Sequence, residues 1–168
     1  MTVFIRAETP ADIAAIRALN EAAFGQPFEA QLVDALRREA NPFVSLVAEQ
    51  GGEILGHICF SPVAVGDGDP SNRYVGLGPM AVLPAAQNRG IGSRLVQAGL
   101  DECRRRGQAL VVVVGHAGFY PRFGFQPASA LGLTCEYDVP DDVFMALRLD
   151  ETSHPAGLVR YHSAFAAS

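Results

Sequence analysis

The stretch Gln87-Asn88-Arg89-Gly90-Ile91-Gly92-Ser93-Arg94 holds the residue types best suited to binding an anion. Its glycines let the backbone approach a phosphate without side-chain obstruction. The helix predicted to follow would turn its unpaired N–H groups and positive dipole end toward the same phosphate. Arg89 and Arg94 can add charge-assisted bonds. Three ligand readings compete, beside the bland one of a glycine-rich helix entry that binds nothing. A nucleotide-triphosphate P-loop requires Gly-Lys-Ser/Thr, and Gly92-Ser93-Arg94 does not supply it. A dinucleotide fingerprint needs Gly or Ala where Leu95 stands. Gly76-x-Gly78-x-x-Ala81 matches that fingerprint on paper, but it falls inside a predicted strand with no helix after it. The third ligand is the pyrophosphate of a coenzyme A.

Other reactive side chains are scattered along the chain. Tyr120 carries a phenol that stays protonated at neutral pH and can donate to a leaving group. Taken alone, it reads first as a buried aromatic whose hydroxyl merely finds a partner. Glu29 borders an apolar helix face, His57 lies on a strand and His116 follows a run of valines. Each is a candidate general base, though residues so placed are more often surface or satisfied core groups. Cys59, Cys103 and Cys135 are odd in number and widely spaced, which predicts inert thiols in a reducing compartment. No Ser-His-Asp arrangement and no metal-ligand spacing emerges, so no metal is expected.

The elements that must position these groups follow from periodicity and punctuation. Residues 3–6 read as a strand. Thr9-Pro10-Ala11-Asp12 is a helix start with a capping-box pattern, and Ile13, Ile16, Leu19 and Ala23 share one face of the helix. Phe28, Leu32, Ala35 and Leu36 mark a second amphipathic helix. Residues 43–49 and 54–65 predict two strands joined at Gly51-Gly52. Residues 66–71 are a polar loop. Residues 73–82 predict a strand whose pairing breaks near Pro79, because proline cannot donate to a ladder. Residues 90–106 form the clearest helix, stopped at Gly107. The valine run of residues 109–114 predicts a strand buried on both faces. A short helix is expected over 118–123, irregular chain from Phe125, a late strand over 144–149 and a further strand over 158–165.

The whole-chain properties narrow the class. The 168 residues suit one core. With 49% hydrophobic and 18% charged residues the composition is that of a folded domain. A formal net charge of -5 argues against a nucleic-acid or anionic-membrane partner, which would require a broad basic field. The basic run Arg104-Arg105-Arg106 reads as the cationic last turn of a helix. Neither a secretory signal nor an apolar run of roughly 20 residues is visible, so a cytoplasmic location is expected.

Gln/Arg-x-x-Gly-x-Gly/Ala directly after a strand is the signature motif of the GNAT superfamily of N-acetyltransferases. Leu77-Gly78-Pro79-Met80-Ala81-Val82-Leu83-Pro84 followed by Gln87 to Gly92 resembles that family's strand-loop-helix core. Phe119-Tyr120-Pro121-Arg122-Phe123-Gly124-Phe125 resembles its second landmark, about 30 residues further on. The run from Gly115-His116 and the late Phe144-Met145-Ala146-Leu147 are similar to the YhbS-like branch. The resemblance covers residues 3–149. It implies an α/β (α+β) fold with a mixed, mostly antiparallel central sheet flanked by helices and splayed at the cofactor site. Residues 1–150 would form the acetyltransferase domain and residues 151–168 a C-terminal extension packed on it.

The resemblance also implies acetyl-CoA as acetyl donor and direct attack by a primary amine in a ternary complex. The backbone of Met80, Ala81 and Val82 would pair with the pantetheine arm, and Gln87, Asn88, Arg89, Gly90, Ile91, Gly92, Ser93 and Arg94 would hold the pyrophosphate. Tyr120 would act as the catalytic acid. The acceptor would be a small-molecule or peptide amine, and the protein a monomer or homodimer. One departure from the family pattern stands out: residues 76–82 contain no acid, where many members carry one. That leaves the general base unnamed. It is also the one feature favouring the alternative, a non-catalytic acyl-CoA-binding or sensing domain.

Overall fold

The computed structural model describes residues 2–67 and 73–166. Its strands are β1 (Phe4–Ala7), β2 (Val44–Gln50), β3 (Glu53–Val65), β4 (Tyr74–Val82), β5 (Leu110–Val114), β6 (Gln126–Pro127), β7 (Leu133–Cys135), β8 (Phe144–Arg148) and β9 (Gly157–Tyr161). The helices are α1 (Ile13–Phe24), α2 (Phe28–Glu39) and α3 (Ile91–Arg105). The main sheet runs β1-β2-β3-β4-β5-β8-β6, while β9 pairs with the far end of β3 and with β7. The β4–β5 and β7–β9 pairs are parallel and the other pairs antiparallel. This is the mixed, mostly antiparallel sheet flanked by helices that the resemblance implies.

Strand alternation divides the helices between the two faces of the sheet. Ile58 and Phe60 of β3 pack in one cluster with Leu95, Val96 and Leu100 of α3. Cys59, between them in sequence, packs with Ile16, Leu19 and Leu36 of α1 and α2. Adjacent strand residues point to opposite faces, so α3 covers one side and the α1–α2 pair the other. On α3 the buried residues Leu95, Val96, Gly99, Leu100 and Cys103 recur at helical spacing and form its sheet-facing stripe.

The capping pattern at Thr9 caps a 3-10 turn, Pro10–Asp12, which leads into α1 at Ile13. Thr9 N donates to Asp12 Oδ2 at 2.7 Å, and Arg6 clamps the same carboxylate at 2.8 and 3.0 Å. The Arg6 guanidinium holds the Asp12 carboxyl well below the usual carboxylate range.

The feature that makes a site is an opening between β4 and β5. Their parallel register covers Tyr74 to Gly76 against Leu110 to Val112 and goes no further. Beyond it, β4 stays paired with β3 through Ile58–Met80, His57–Ala81 and Gly56–Val82. The β3–β4 register shifts opposite Gly78-Pro79, where proline lacks the donor a regular ladder needs. Met80 to Val82 therefore keep one edge outside the ladder.

Several elements differ from expectation. The strand expected over 158–165 is β9, ending at Tyr161, and a 3-10 turn follows at Ser163–Ala166. The irregular chain after Phe125 contains β6 and β7, two short strands stabilised by pairing with β8 and β9. The loop expected over 66–71 is described only as far as Asp67, and its remainder lies outside the described residues.

His57 sits in a polar cluster under α2. Arg37 donates to both Glu8 oxygens at 2.6 and 3.0 Å, and Ser45 Oγ donates to Glu8 Oε1. Ser45 has one hydroxyl proton, so His57 Nε2 is the donor in the 2.8 Å contact with Ser45 Oγ. His57 Nδ1 is buried without a partner, and protonating it would strand a buried charge. Burial pushes His57 down to about 4 from 6.5, outweighing the nearby Glu8, with Arg37 adding to the fall. The unfolded chain therefore takes up this proton before the folded one does. Stability from His57 is fully present above pH 6.5 and is lost as pH falls toward 4. Urea denaturation should show a loss of about 2 kcal/mol between pH 7 and pH 5 from this residue. Glu8, also held low in the fold, adds to the loss at lower pH.

Candidate active site

The opening in the sheet is flanked by two cavities. The first, of 520 Å3, lies at the N-terminus of α3 and is lined by Val82, Gln87, Asn88, Gly92, Ser93 and Arg122, among others. The second, of 560 Å3, lies between α2, β4 and β5 and is lined by Phe28, Glu29, Leu77, Tyr120, Tyr137 and Phe165, among others. Both volumes fall within the roughly 300–1,000 Å3 of small-molecule sites. Met80 and His116 line both, so the two cavities meet at the splay.

The first cavity is built by the glycine loop. Gly90 stands at the helix N-cap with φ +77°, a left-handed conformation that side chains rarely adopt. The first backbone bond of α3 runs from Arg94 N to Gly90 O at 3.1 Å. The N–H groups of Ile91, Gly92 and Ser93 therefore precede the helical ladder, the arrangement that suits an anion at a helix N-terminus. Gln87 Nε2 donates to Val82 O at 3.2 Å and ties the loop to the end of β4.

The charges sit differently from the sequence reading. Arg89 turns away to donate to Gln50 Oε1 at 3.3 Å, and neither it nor Arg94 is among the residues lining the cavity. Arg122 lines it instead, its guanidinium 4.8 Å from the centroid of Phe119. Stacking on a ring leaves the guanidinium donors available at its edge.

The sequence profile of the acetyltransferase (GNAT) family matches residues 13–125. The chain belongs to this family. The GNAT chain is 36% identical over 166 residues to the uncharacterised N-acetyltransferase YhbS of Escherichia coli strain K12, covering 97% of this chain and 98% of that one. The crystal structure of E. coli YhbS in complex with CoA superposes with a TM-score of 0.90 at 35% identity, covering 98% of this chain and 92% of that one. A Brucella melitensis GNAT acetyltransferase in complex with acetyl-CoA gives 0.82 at 40% identity, covering 98% of each chain. Acetyl-CoA is the family's acetyl donor.

Within this GNAT fold, Tyr120 opens the 3-10 turn Tyr120–Phe123 and is 6% exposed. Its ring packs edge-on against Phe119 and Phe125 at 5.0 and 5.6 Å and lies over Gly115. Burial pushes its phenol up to about 12. It therefore stays protonated wherever an amine is free to react.

The three base candidates separate clearly. Glu29 lines the second cavity and His116 stands where the cavities meet. His57 lines neither and is fully buried against Ser45. Cys59 is also buried, its thiol donating to Gly78 O at 3.3 Å, and burial pushes it far up from its ordinary value. Among the described residues no group of three or more His, Cys, Asp or Glu is arranged to hold a metal ion, and no helix is long and apolar enough to cross a membrane.

Proposed function

We propose that this chain transfers the acetyl group of acetyl-CoA to a primary amine by direct attack in a ternary complex. The observation that carries this reading is the junction of the two cavities at Met80 and His116, with Tyr120 in the wall. A direct transfer needs both substrates to meet without a protein nucleophile between them.

The chain's own groups fit the donor. Ile91, Gly92 and Ser93 N–H groups and the Arg122 guanidinium suit a pyrophosphate. The free edge at Met80 to Val82 suits the two amides of a pantetheine arm, which would add to the sheet as a strand does. The donor supplies an activated acyl carbon and a sulfur leaving group.

The remaining steps fall to the protein and the acceptor. An alkyl ammonium is about one part in 10³ free at neutral pH, so one proton must first leave to water or a base. His116, at the junction, is our candidate for relaying it. Nitrogen then bonds to the acyl carbon while the N–H at Val82 steadies the carbonyl oxygen. The C–S bond breaks with its electron pair on sulfur. Tyr120 holds a proton at its hydroxyl for that sulfur, and the second amine proton restores the phenol. One amide, one thiol and one released proton result.

Calorimetry with acetyl-CoA, followed by thiol release with a panel of amines, tests the reading. Saturable binding that weakens with salt, and amine-dependent thiol release, are expected. Absence of binding at millimolar acetyl-CoA would sink it. Binding without transfer to any amine would instead favour the non-catalytic acyl-CoA-binding domain.

A further inference from the structure

The second cavity carries information about what the acceptor is. Its walls come from segments far apart in sequence: Phe24, Phe28 and Leu32 from α1 and α2, Val139 from the loop after β7, and Phe165 beyond β9. Among the described residues, Glu29 is the single carboxylate that lines it and no arginine does. The acids Glu136, Asp138 and Asp141 line an adjoining cavity, which shares the walls Tyr137 and Val139 with this one.

A second observation concerns what the fold leaves uncovered. Four large apolar side chains are exposed among the described residues, and three of them, Phe24, Val114 and Tyr137, line this cavity. They are 40%, 43% and 40% exposed. Apolar surface clustered at a cavity is explained by a ligand that covers it. Among the described residues that line it, Tyr161 alone has a buried polar atom with no hydrogen-bond partner, its hydroxyl. That group is neutral.

We propose that the acceptor is a singly charged primary amine on an uncharged, apolar body of about aromatic-ring size, with Glu29 receiving its ammonium before transfer. The proposal rests on the acetyl-transfer reading above and names its acceptor class. One carboxylate can balance one ammonium. A polyamine or an aminoglycoside would bring further charges against aromatic walls, where each is costly to desolvate. An amino acid would bring its own carboxylate beside Glu29. Burying one ring against these walls gains about 10- to 100-fold in binding.

The test is steady-state acetylation by the full chain of phenylethylamine, spermidine, kanamycin and a lysine-containing peptide. We expect kcat/KM for phenylethylamine to exceed the others by at least about 10-fold. Glu29→Gln should raise KM for phenylethylamine about 10-fold and leave KM for acetyl-CoA unchanged, since only the amine loses a charged partner. Tyr137→Ser, at an exposed position, should lower the preference for phenylethylamine over spermidine. A higher kcat/KM for spermidine, kanamycin or the peptide would overturn the acceptor class while leaving acetyl transfer standing. An unchanged KM in Glu29→Gln would remove Glu29 from ammonium recognition. No acetylation of any amine, despite bound acetyl-CoA, would overturn the transfer reading itself.

Discussion

Tyr120→Phe is expected to lower kcat by about 10²- to 10⁴-fold while the dissociation constant for acetyl-CoA stays within about twofold. The substitution removes one hydroxyl and keeps the ring, so the edge contacts with Phe119 and Phe125 survive. The loss is therefore chemical and should appear in kcat. A phenol held near 12 stays protonated across the neutral range. From neutral pH up to about 10 the rate should rise as the acceptor amine loses its proton, and Tyr120 should contribute no decline until strongly alkaline pH. In Tyr120→Phe the same rise should persist at a lower plateau. Thiol-release kinetics from pH 6 to 10, with calorimetry for the donor, measure both quantities. An unchanged plateau would remove Tyr120 from the proton path.

How far the sequence exposed this arrangement depends on whether a feature is local. The entry to α3 is local: Gly90 and Gly92 precede a stripe of Leu95, Val96, Leu100 and Cys103, so loop and helix can be read together. Tyr120 is singled out by the resemblance of Phe119 to Phe125 to a family landmark, and Phe119 and Phe125 of that same run pack directly on it. Arg122 lies in that same run yet gave no signal as a cavity residue. Its position depends on stacking over Phe119, a contact that periodicity does not encode. The short strands β6 and β7 exist because β8 and β9 offer them ladders, and their own residues carry no strand pattern. His57 was placed on a strand from its sequence, but the face it takes depends on pairing with β2 and β4. That pairing turns it toward Ser45 and away from both cavities. The second cavity is the extreme case, because its walls are drawn from both ends of the chain.

Gly115→Ala should impair the same chemistry from the other side of the Tyr120 ring. A Cβ at this position would fall 2.4 Å from Tyr120 Cε2 and 3.2 Å from Cδ2, closer than packed carbons tolerate. The backbone is poorly placed to yield, because Gly115 N donates to Val143 O at 2.9 Å. The ring must move, and its hydroxyl moves with it. A displacement of about 1 Å at a reacting group costs roughly 10²-fold in rate. Overpacking should also cost about 1–3 kcal/mol of stability, seen as a lower urea midpoint. Gly118→Ala is the control from the same loop, where an added Cβ meets nothing within 4 Å, and it should leave turnover unchanged. The double variant Gly115→Ala with Tyr120→Phe separates a positioning effect from general damage. If Gly115 acts through the Tyr120 hydroxyl, the double variant should be no slower than Tyr120→Phe alone. Multiplying losses would show that Gly115 supports the fold without aiming the acid.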